Sequence, residues 1–288
     1  MLPVTTIRAN APAKVNLTLH VTGQRDDGYH LLDSLVVFAD VADHLTATPA
    51  SDLTLNVTGP FAQGVPVDRT NLMMRAADVL RAAHGITDGA AMTLEKNLPH
   101  AAGIGSGSSD AAATLGMLAK LWDVPLLPAE ARQVLALGAD VPVCMHAPSA
   151  VRMSGIGDVL SPLPALPDCA LVLVRPPVDV PTGAVFNGLA TKHGTPMSTL
   201  PEGLNFVDFV TWLAAQRNDL QAPAKVLAPQ IATTIAALDA LPDVAFAGMS
   251  GSGATCFALV QDLETARRVA GVMQTVYRDW WIVPAAVL

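Results

Sequence analysis

From Leu98 to Asp110 the chain places Gly103, Gly105 and Gly107 at alternate positions, then Ser108, Ser109 and an acid. From Ser108 the apolar period turns helical, with Ala112, Leu115, Leu118, Ala119 and Trp122 along one stripe. A glycine-rich turn running straight into an amphipathic helix leaves few architectures open. Alternate glycines let backbone N–H groups turn inward with no Cβ in the way, and the helix adds its unpaired first-turn amides and positive dipole end. That is a bowl for phosphate oxygens, with serine hydroxyls at its rim for a phosphate or the Mg2+ it carries. No Gly-Lys-Ser/Thr ends the stretch, so it is not a Walker A loop, and the Gly-x-Gly-x-x-Gly spacing of dinucleotide folds is absent. Taken alone, the pattern is also compatible with a flexible glycine turn capped by Ser and Asp.

The rest of the chain sets the context. Its 288 residues are 51% apolar and 15% charged, enough to bury a large core, and the length favours two packed domains. A net charge of −8 argues against a nucleic-acid binder, which needs a basic face, but not against a small anionic substrate. Mean hydropathy is +0.40, yet no run approaches the roughly 20 apolar residues of a membrane span. Met1, Leu2, Pro3 and Val4 lack the basic-then-apolar pattern of an export signal. Cys144, Cys169 and Cys256 form no CxxC, metal spacing or disulfide framework, so a reducing cytoplasm is expected, with the three as buried small hydrophobes.

Residues 9–21 alternate strictly and predict a strand, Val15, Leu17, Leu19 and Val21 facing one way and Lys14, Asn16, Thr18 and His20 the other, the polar face lining a wet cleft. A turn over 23–28 leads to a strand over 31–38, and 44–57 adds strand material interrupted by Pro49. Helices are expected over Leu72–His84 and 129–137, the second closed by Gly138, with a short strand at 91–95. The Gly/Pro-rich stretch 154–167 marks a boundary, giving domains 1–155 and 156–288. Beyond it come strands at 170–174, 255–260 and 281–287, a loop over 175–181, and helices at 206–216, 229–241 and 264–277. The mixture lacks regular βαβ alternation, so the expected class is α+β.

Two further positions carry chemistry. Asp140 follows a helix end and precedes Val141-Pro142, the place of an N-cap, and a capping carboxylate keeps an oxygen for a substrate hydroxyl. Lys14 sits on the polar face of the first strand, where a solvated lysine is the plain alternative. Tyr29-His30 after Gly28 suits base stacking plus an edge hydrogen bond, and equally an ordinary strand aromatic. Phe186 reads as a core residue after a loop, and Asn71 as the cap of the helix from Leu72.

Three ordered segments resemble the motifs of the GHMP kinase superfamily. Pro12-Ala13-Lys14-Val15-Asn16-Leu17 is similar to its first motif, Pro99 to Ser109 to its phosphate-binding second, and Ser250-Gly251-Ser252-Gly253-Ala254-Thr255-Cys256 to its third. The likeness runs from about Ala9 to the C-terminus. The stretches from Thr22 to His30, Leu137 to Pro142 and Pro181 to Phe186 are most similar to members that phosphorylate the 2-hydroxyl of a methylerythritol bearing a cytidine diphosphate group, in non-mevalonate isoprenoid precursor biosynthesis.

The resemblance implies an ATP-dependent small-molecule kinase using Mg2+. Its N-terminal domain would be like ribosomal protein S5 domain 2 and its C-terminal domain ferredoxin-like. Lys14 and Asp140 would be the catalytic pair. Pro99, His100, Ala101, Ala102, Gly103, Ile104, Gly105, Ser106, Gly107, Ser108 and Ser109 would wrap the ATP phosphates, with Asn71 on the nucleotide. Tyr29, His30 and Phe186 would hold the cytosine, and Asn16 and Thr182 would line the same pocket. The metal ligand stays open between Ser108 and Ser109. No nucleic acid or membrane partner is implied, and the protein would act in the cytoplasm as a monomer or homodimer. Ser106 departs from the family, standing where many relatives have glycine, so that position must tolerate a Cβ.

Overall fold

The computed structural model describes residues 5–288; the export-signal expectation for Met1 to Val4 lies outside them. In chain order the elements are β1 (Ile7–Asn16), β2 (His20–Gln24), β3 (His30–Ala50), β4 (Leu53–Thr58), α1 (Leu72–His84), β5 (Gly89–Glu95), α2 (Ser106–Leu121), α3 (Arg132–Leu135) and α4 (Val141–Cys144). They continue with β6 (Val151–Gly155), β7 (Val159–Pro162), β8 (Ala170–Arg175), α5 (Thr182–Asn187), α6 (Phe206–Ala214), α7 (Gln221–Leu227), α8 (Pro229–Asp239), β9 (Phe246–Met249), β10 (Cys256–Val260), α9 (Leu263–Val276) and β11 (Trp281–Ala286). The class is α+β, as expected.

Two compact units interleave along the chain. The first comprises the segments up to Ala13, Ala42–His100 and Gly105–Ala147. In it β5 pairs antiparallel with the second half of β3 and parallel with β4. Helices α1 and α2 pack together, burying Met73, Met74, Ala77 and Leu80 from one and Leu115 and Leu118 from the other. Asn71 caps α1, its side chain accepting from the Met73 amide, and Gly85 closes it in the left-handed conformation at φ 64°.

The second unit comprises Lys14–Val41, Ala101–Ile104 and Pro148–Leu288. Its four-stranded antiparallel sheet runs β11-β8-β10-β9, with β10 buried throughout and β8 buried from Ala170 to Val174. Val172, Val174, Ala258 and Val260 pack against Ile231, Leu238, Val269 and Met273 from the helices. The first half of β3 pairs with β2 and β6, and β6 with β7, so the stretch expected as a boundary is largely a hairpin.

Four local expectations are corrected. The strand over 9–21 is two strands, because at Leu17 and Leu19 the backbone bonds instead to Leu35 and Arg217. Its polar face is not wet: Lys14, Asn16, Thr18 and His20 are each at most 3% exposed. Pro49 does not interrupt β3; it pairs with Ala90 one residue before the strand ends, where a missing N–H costs little. The helix over 129–137 shrinks to one turn, since Val134 is the residue it buries and no side chain caps it.

Candidate active site

In the second unit the middle of the glycine loop is bonded to the first and third motifs. The Lys14 amide donates to the Ile104 carbonyl at 3.0 Å, and the Thr255 amide to the Ala102 carbonyl at 3.1 Å. Ser250 Oγ donates to the Gly103 carbonyl at 2.9 Å and accepts the Asn16 amide at 3.0 Å. Only glycine fits at 103: φ is +74°, and a Cβ would stand 2.7 Å from the carbonyl oxygens of Ser250 and Gly253. Asn218 Nδ2 holds the third motif by donating to the Met249 and Gly251 carbonyls at 2.7 and 2.9 Å.

Asn16 donates through Nδ2 to Ser34 Oγ at 2.8 Å, while its buried Oδ1 has no partner and lies 3.4 Å from where a Gly251 Cβ would stand. Thr182 Oγ1 and Ser252 Oγ share a hydrogen bond of 2.9 Å. The His30 and Phe186 rings stack with centroids 4.7 Å apart and planes inclined 25°. Burial is the main cause, with the Lys192 charge second, that lowers the His30 pKa, and its buried Nε2 has no hydrogen-bond partner. Tyr29, expected beside them, is 57% exposed and joins no ring contact among the described residues. Near them in sequence, Thr22, Leu31, Leu32 and Asp33 join Arg152 in lining a cavity of about 950 Å³ that includes none of the expected site residues.

The first unit holds the two feet of the loop. Helix α2 starts at Ser106, two residues earlier than its apolar stripe implies, after Gly105 in the left-handed conformation at φ 62°. No side chain caps it. That removes the alternative of a turn capped by Ser and Asp and leaves the first amides and dipole end available to an anion. The Cβ at 106 is tolerated because the residue is already helical, and Ser106 Oγ closes the loop onto the Pro99 carbonyl at 3.2 Å. Ser109 Oγ donates to the Pro12 carbonyl at 2.7 Å. Ser108, half-buried, is not so engaged, and its Oγ lies 3.9 Å from where a Gly138 Cβ would stand. Gly138 is two residues before Asp140, so the α2 start and the Asp140 turn adjoin.

Asp140 occupies the N-cap position of α4, but its side chain makes no capping bond, correcting the capping expectation. Asn71 is committed at both ends, Oδ1 accepting from Met73 at 2.8 Å and Nδ2 donating to the Pro66 carbonyl at 2.7 Å. Sequence reasoning missed Ser34, Asn218 and the buried trio Asp43, Lys96 and Asp110. Ser250 alone had a signal, its place in the third motif.

Among the described residues no group of three His, Cys, Asp or Glu could hold a metal, and no helix is long and apolar enough to cross a membrane. Cys144 and Cys256 are buried as expected, while Cys169 is half-buried.

Residues 71–159 match the model of the GHMP kinases N terminal domain, and 206–279 that of the GHMP kinases C terminal domain. The chain is 54% identical over 279 residues to 4-diphosphocytidyl-2-C-methyl-D-erythritol kinase of Cereibacter sphaeroides, covering 96% of this chain and 98% of the other. It is 52% identical to that of Dinoroseobacter shibae, covering 95% and 92%. A crystal structure of 4-(cytidine 5'-diphospho)-2C-methyl-D-erythritol kinase matches at 32% identity and TM-score 0.78, over 97% of this chain and 98% of that one. With its uncapped glycine loop and stacked His30–Phe186 pair, the chain belongs to the GHMP kinases, in the family of 4-diphosphocytidyl-2-C-methyl-D-erythritol kinases.

Proposed function

We propose that the enzyme transfers the γ-phosphoryl of ATP to the 2-hydroxyl of 4-diphosphocytidyl-2-C-methyl-D-erythritol, giving the 2-phosphate and ADP, in non-mevalonate isoprenoid precursor biosynthesis. The relatives' names support this substrate. The observation that carries the reading in the molecule is the His30–Phe186 stack with its unpartnered imidazole nitrogen. A flat apolar face beside an unsatisfied polar edge is what a pyrimidine needs, and small acyclic alcohols such as mevalonate or homoserine do not. Tyr29, exposed and adjacent, closes over the base; Asn16, through its unpartnered Oδ1, and Thr182 take polar groups of the same substrate.

Phosphoryl transfer of this kind has a loose transition state, so the protein's work is alignment and charge stabilisation. Residues 99–109 hold the phosphates with the backbone amides at the uncapped start of α2, and Asn71, as the cap of α1, shapes the nucleotide side. Asp140 orients the acceptor hydroxyl and takes its proton late, and Lys14 stabilises the charge that develops. With Ser109 bonded to Pro12, Ser108 is the hydroxyl that would hold Mg2+, which when bound would supply neutralisation of the phosphate charge. In this reading residues 1–155 are the ATP-binding N-terminal domain and 156–288 the C-terminal domain. The enzyme works in the cytoplasm on small molecules, as a monomer or homodimer, with no nucleic-acid or membrane partner.

The test is ADP release with the cytidyl substrate set against mevalonate and homoserine. Turnover confined to the cytidyl compound, with competition by cytidine nucleotides, supports the reading. Comparable turnover of either rival alcohol defeats it.

A further inference from the structure

Each phosphate of the substrate's diphosphate carries a negative charge, the natural partner of a cation, yet Tyr29, His30, Phe186, Asn16 and Thr182 bring no fixed positive charge to it. The second unit holds one close by. Gln24 on β2 is the direct cross-strand partner of His30 on β3, so the two side chains leave the same face of the sheet side by side. Lys192 Nζ donates to Gln24 Oε1 at 3.0 Å, which sets its ammonium beside the His30–Phe186 stack. The Lys192 charge is felt there as the second cause, after burial, of the lowered His30 pKa.

That ammonium is held in place without being neutralised. Gln24 Nε2 donates to the Gly28 carbonyl at 3.0 Å, which turns Oε1 toward the lysine. Lys192 is half-buried, and among the described residues no carboxylate pairs with it, unlike Arg152, Arg175 and Arg217 of the same unit. A half-buried lysine held by an amide oxygen keeps its full charge and, of its three N–H donors, two for another acceptor. The chain around it is pinned. Leu189 packs against the core before it, and after it the Gly194 amide donates to the Val21 carbonyl at 2.9 Å. A Cβ at 194 would stand 2.7 Å from Arg217 Nη2 and 2.9 Å from that carbonyl oxygen, so the segment lies against β2 more closely than a larger residue allows. A cation on an anchored segment, with donors to spare, is a preorganised anion site.

We propose that Lys192 is a substrate-binding residue of this enzyme, its ammonium meeting the diphosphate that joins the cytidine to the methylerythritol. The inference rests on reading His30 and Phe186 as the cytosine site. It divides the recognition of the substrate: the stack selects the base, and Lys192 tells a nucleotide from the bare nucleoside.

The experiment is calorimetric binding of cytidine and of cytidine diphosphate to the full chain without Mg2+, wild type against Lys192→Met, which keeps the length of the stem and loses the charge. The wild type should bind the diphosphate at least about tenfold more tightly than the nucleoside, the worth of one charge-assisted hydrogen bond. Lys192→Met should lose most of that preference while its cytidine affinity stays that of the wild type, and Lys192→Arg should restore it. A wild type without the preference, or a Lys192→Met protein that keeps it, overturns the proposal and leaves the cytosine reading intact. Equal weakening of cytidine and its diphosphate also overturns it, since the lysine would then serve the base or the frame. A wild type that binds neither compound overturns the cytosine reading and this one with it.

Discussion

Ser250 and Gly103 hold each other at close quarters: the serine hydroxyl donates to the glycine carbonyl at 2.9 Å, and a Cβ on the glycine would stand 2.7 Å from the serine carbonyl oxygen. Ser250→Ala removes that bond and leaves the Asn16 amide without its acceptor. It should cost about 1–3 kcal/mol in denaturant unfolding and weaken ATP binding. Gly103→Ala should be worse, because the left-handed backbone costs a side chain roughly 1–2 kcal/mol before the collision is counted. Unchanged midpoints in both variants would refute the account of this contact.

Asp140→Asn is expected to lower turnover at least ~10²-fold, the usual scale of general-base loss, with the dissociation constant for an ATP analogue nearly unchanged. Steady-state kinetics paired with calorimetric binding separates the two quantities. Near-full turnover would remove Asp140 from its assigned role.

The proposed cytosine-binding role of His30 and Phe186 is open to a paired test. Phe186→Ala deletes the ring that His30 stacks on, and should raise KM for the cytidyl substrate by about tenfold, since an aromatic pair is worth up to ~1.5 kcal/mol beyond its area. KM for ATP should not move. An equal rise in both constants would point to general damage instead.

His20 makes stability depend on pH. Its Nε2 accepts the Arg217 amide at 3.3 Å, so Nδ1 carries the proton and meets the Thr195 carbonyl at 3.1 Å. Burial above all, and the Arg217 charge, push its pKa below the ordinary histidine value, while the Thr195 bond, Asp219 and Asp33 work the other way. With the folded value depressed, the stability contribution is complete above the ordinary range, about pH 6.5, and is lost as pH falls through the folded value. The melting temperature should therefore drop on acidification, and His20→Gln should flatten that slope. A parallel slope in the variant would count against it.

Burial raises the Cys169 thiol to about 11, helped by the Asp168 charge, and the Cys256 thiol to about 12, against a small opposing effect of Lys225. Neither is a useful nucleophile at about pH 8, so native alkylation at these two should run at least ~10²-fold slower than in denatured protein. Peptide mass mapping after timed labelling reads this directly.

The glycine loop, the helix after it and the β8, β10 and β11 strands were legible because each follows from a short-range rule: alternate glycines, a 3.6-residue period, continuous apolar runs. The polar alternation at Lys14, Asn16, Thr18 and His20 was equally visible, but its meaning was not. Burial of those four depends on partners such as Ser34, Thr195 and Ser250, up to 234 residues away, and no local pattern contains them. The same limit hid Lys96. A lysine between a strand and a proline looks solvated until the fold brings Asp43 and Asp110 to it. Asp140 failed differently: sequence placed it correctly before Val141-Pro142, yet occupying a cap position does not make a side chain cap.

The interleaving of the two units sets an order on synthesis. The ribosome has delivered every segment of the first by Ala147, whereas the strand and loop pieces that the second contributes before that point must wait for β6 and for the sheet built from β8 to β11. Until then residues 14–41 hold the pairing of β2 with the first half of β3 but lack β6, and side chains such as Val21 and Leu35, buried in the finished fold, stay uncovered in a growing chain, where a chaperone has most to protect.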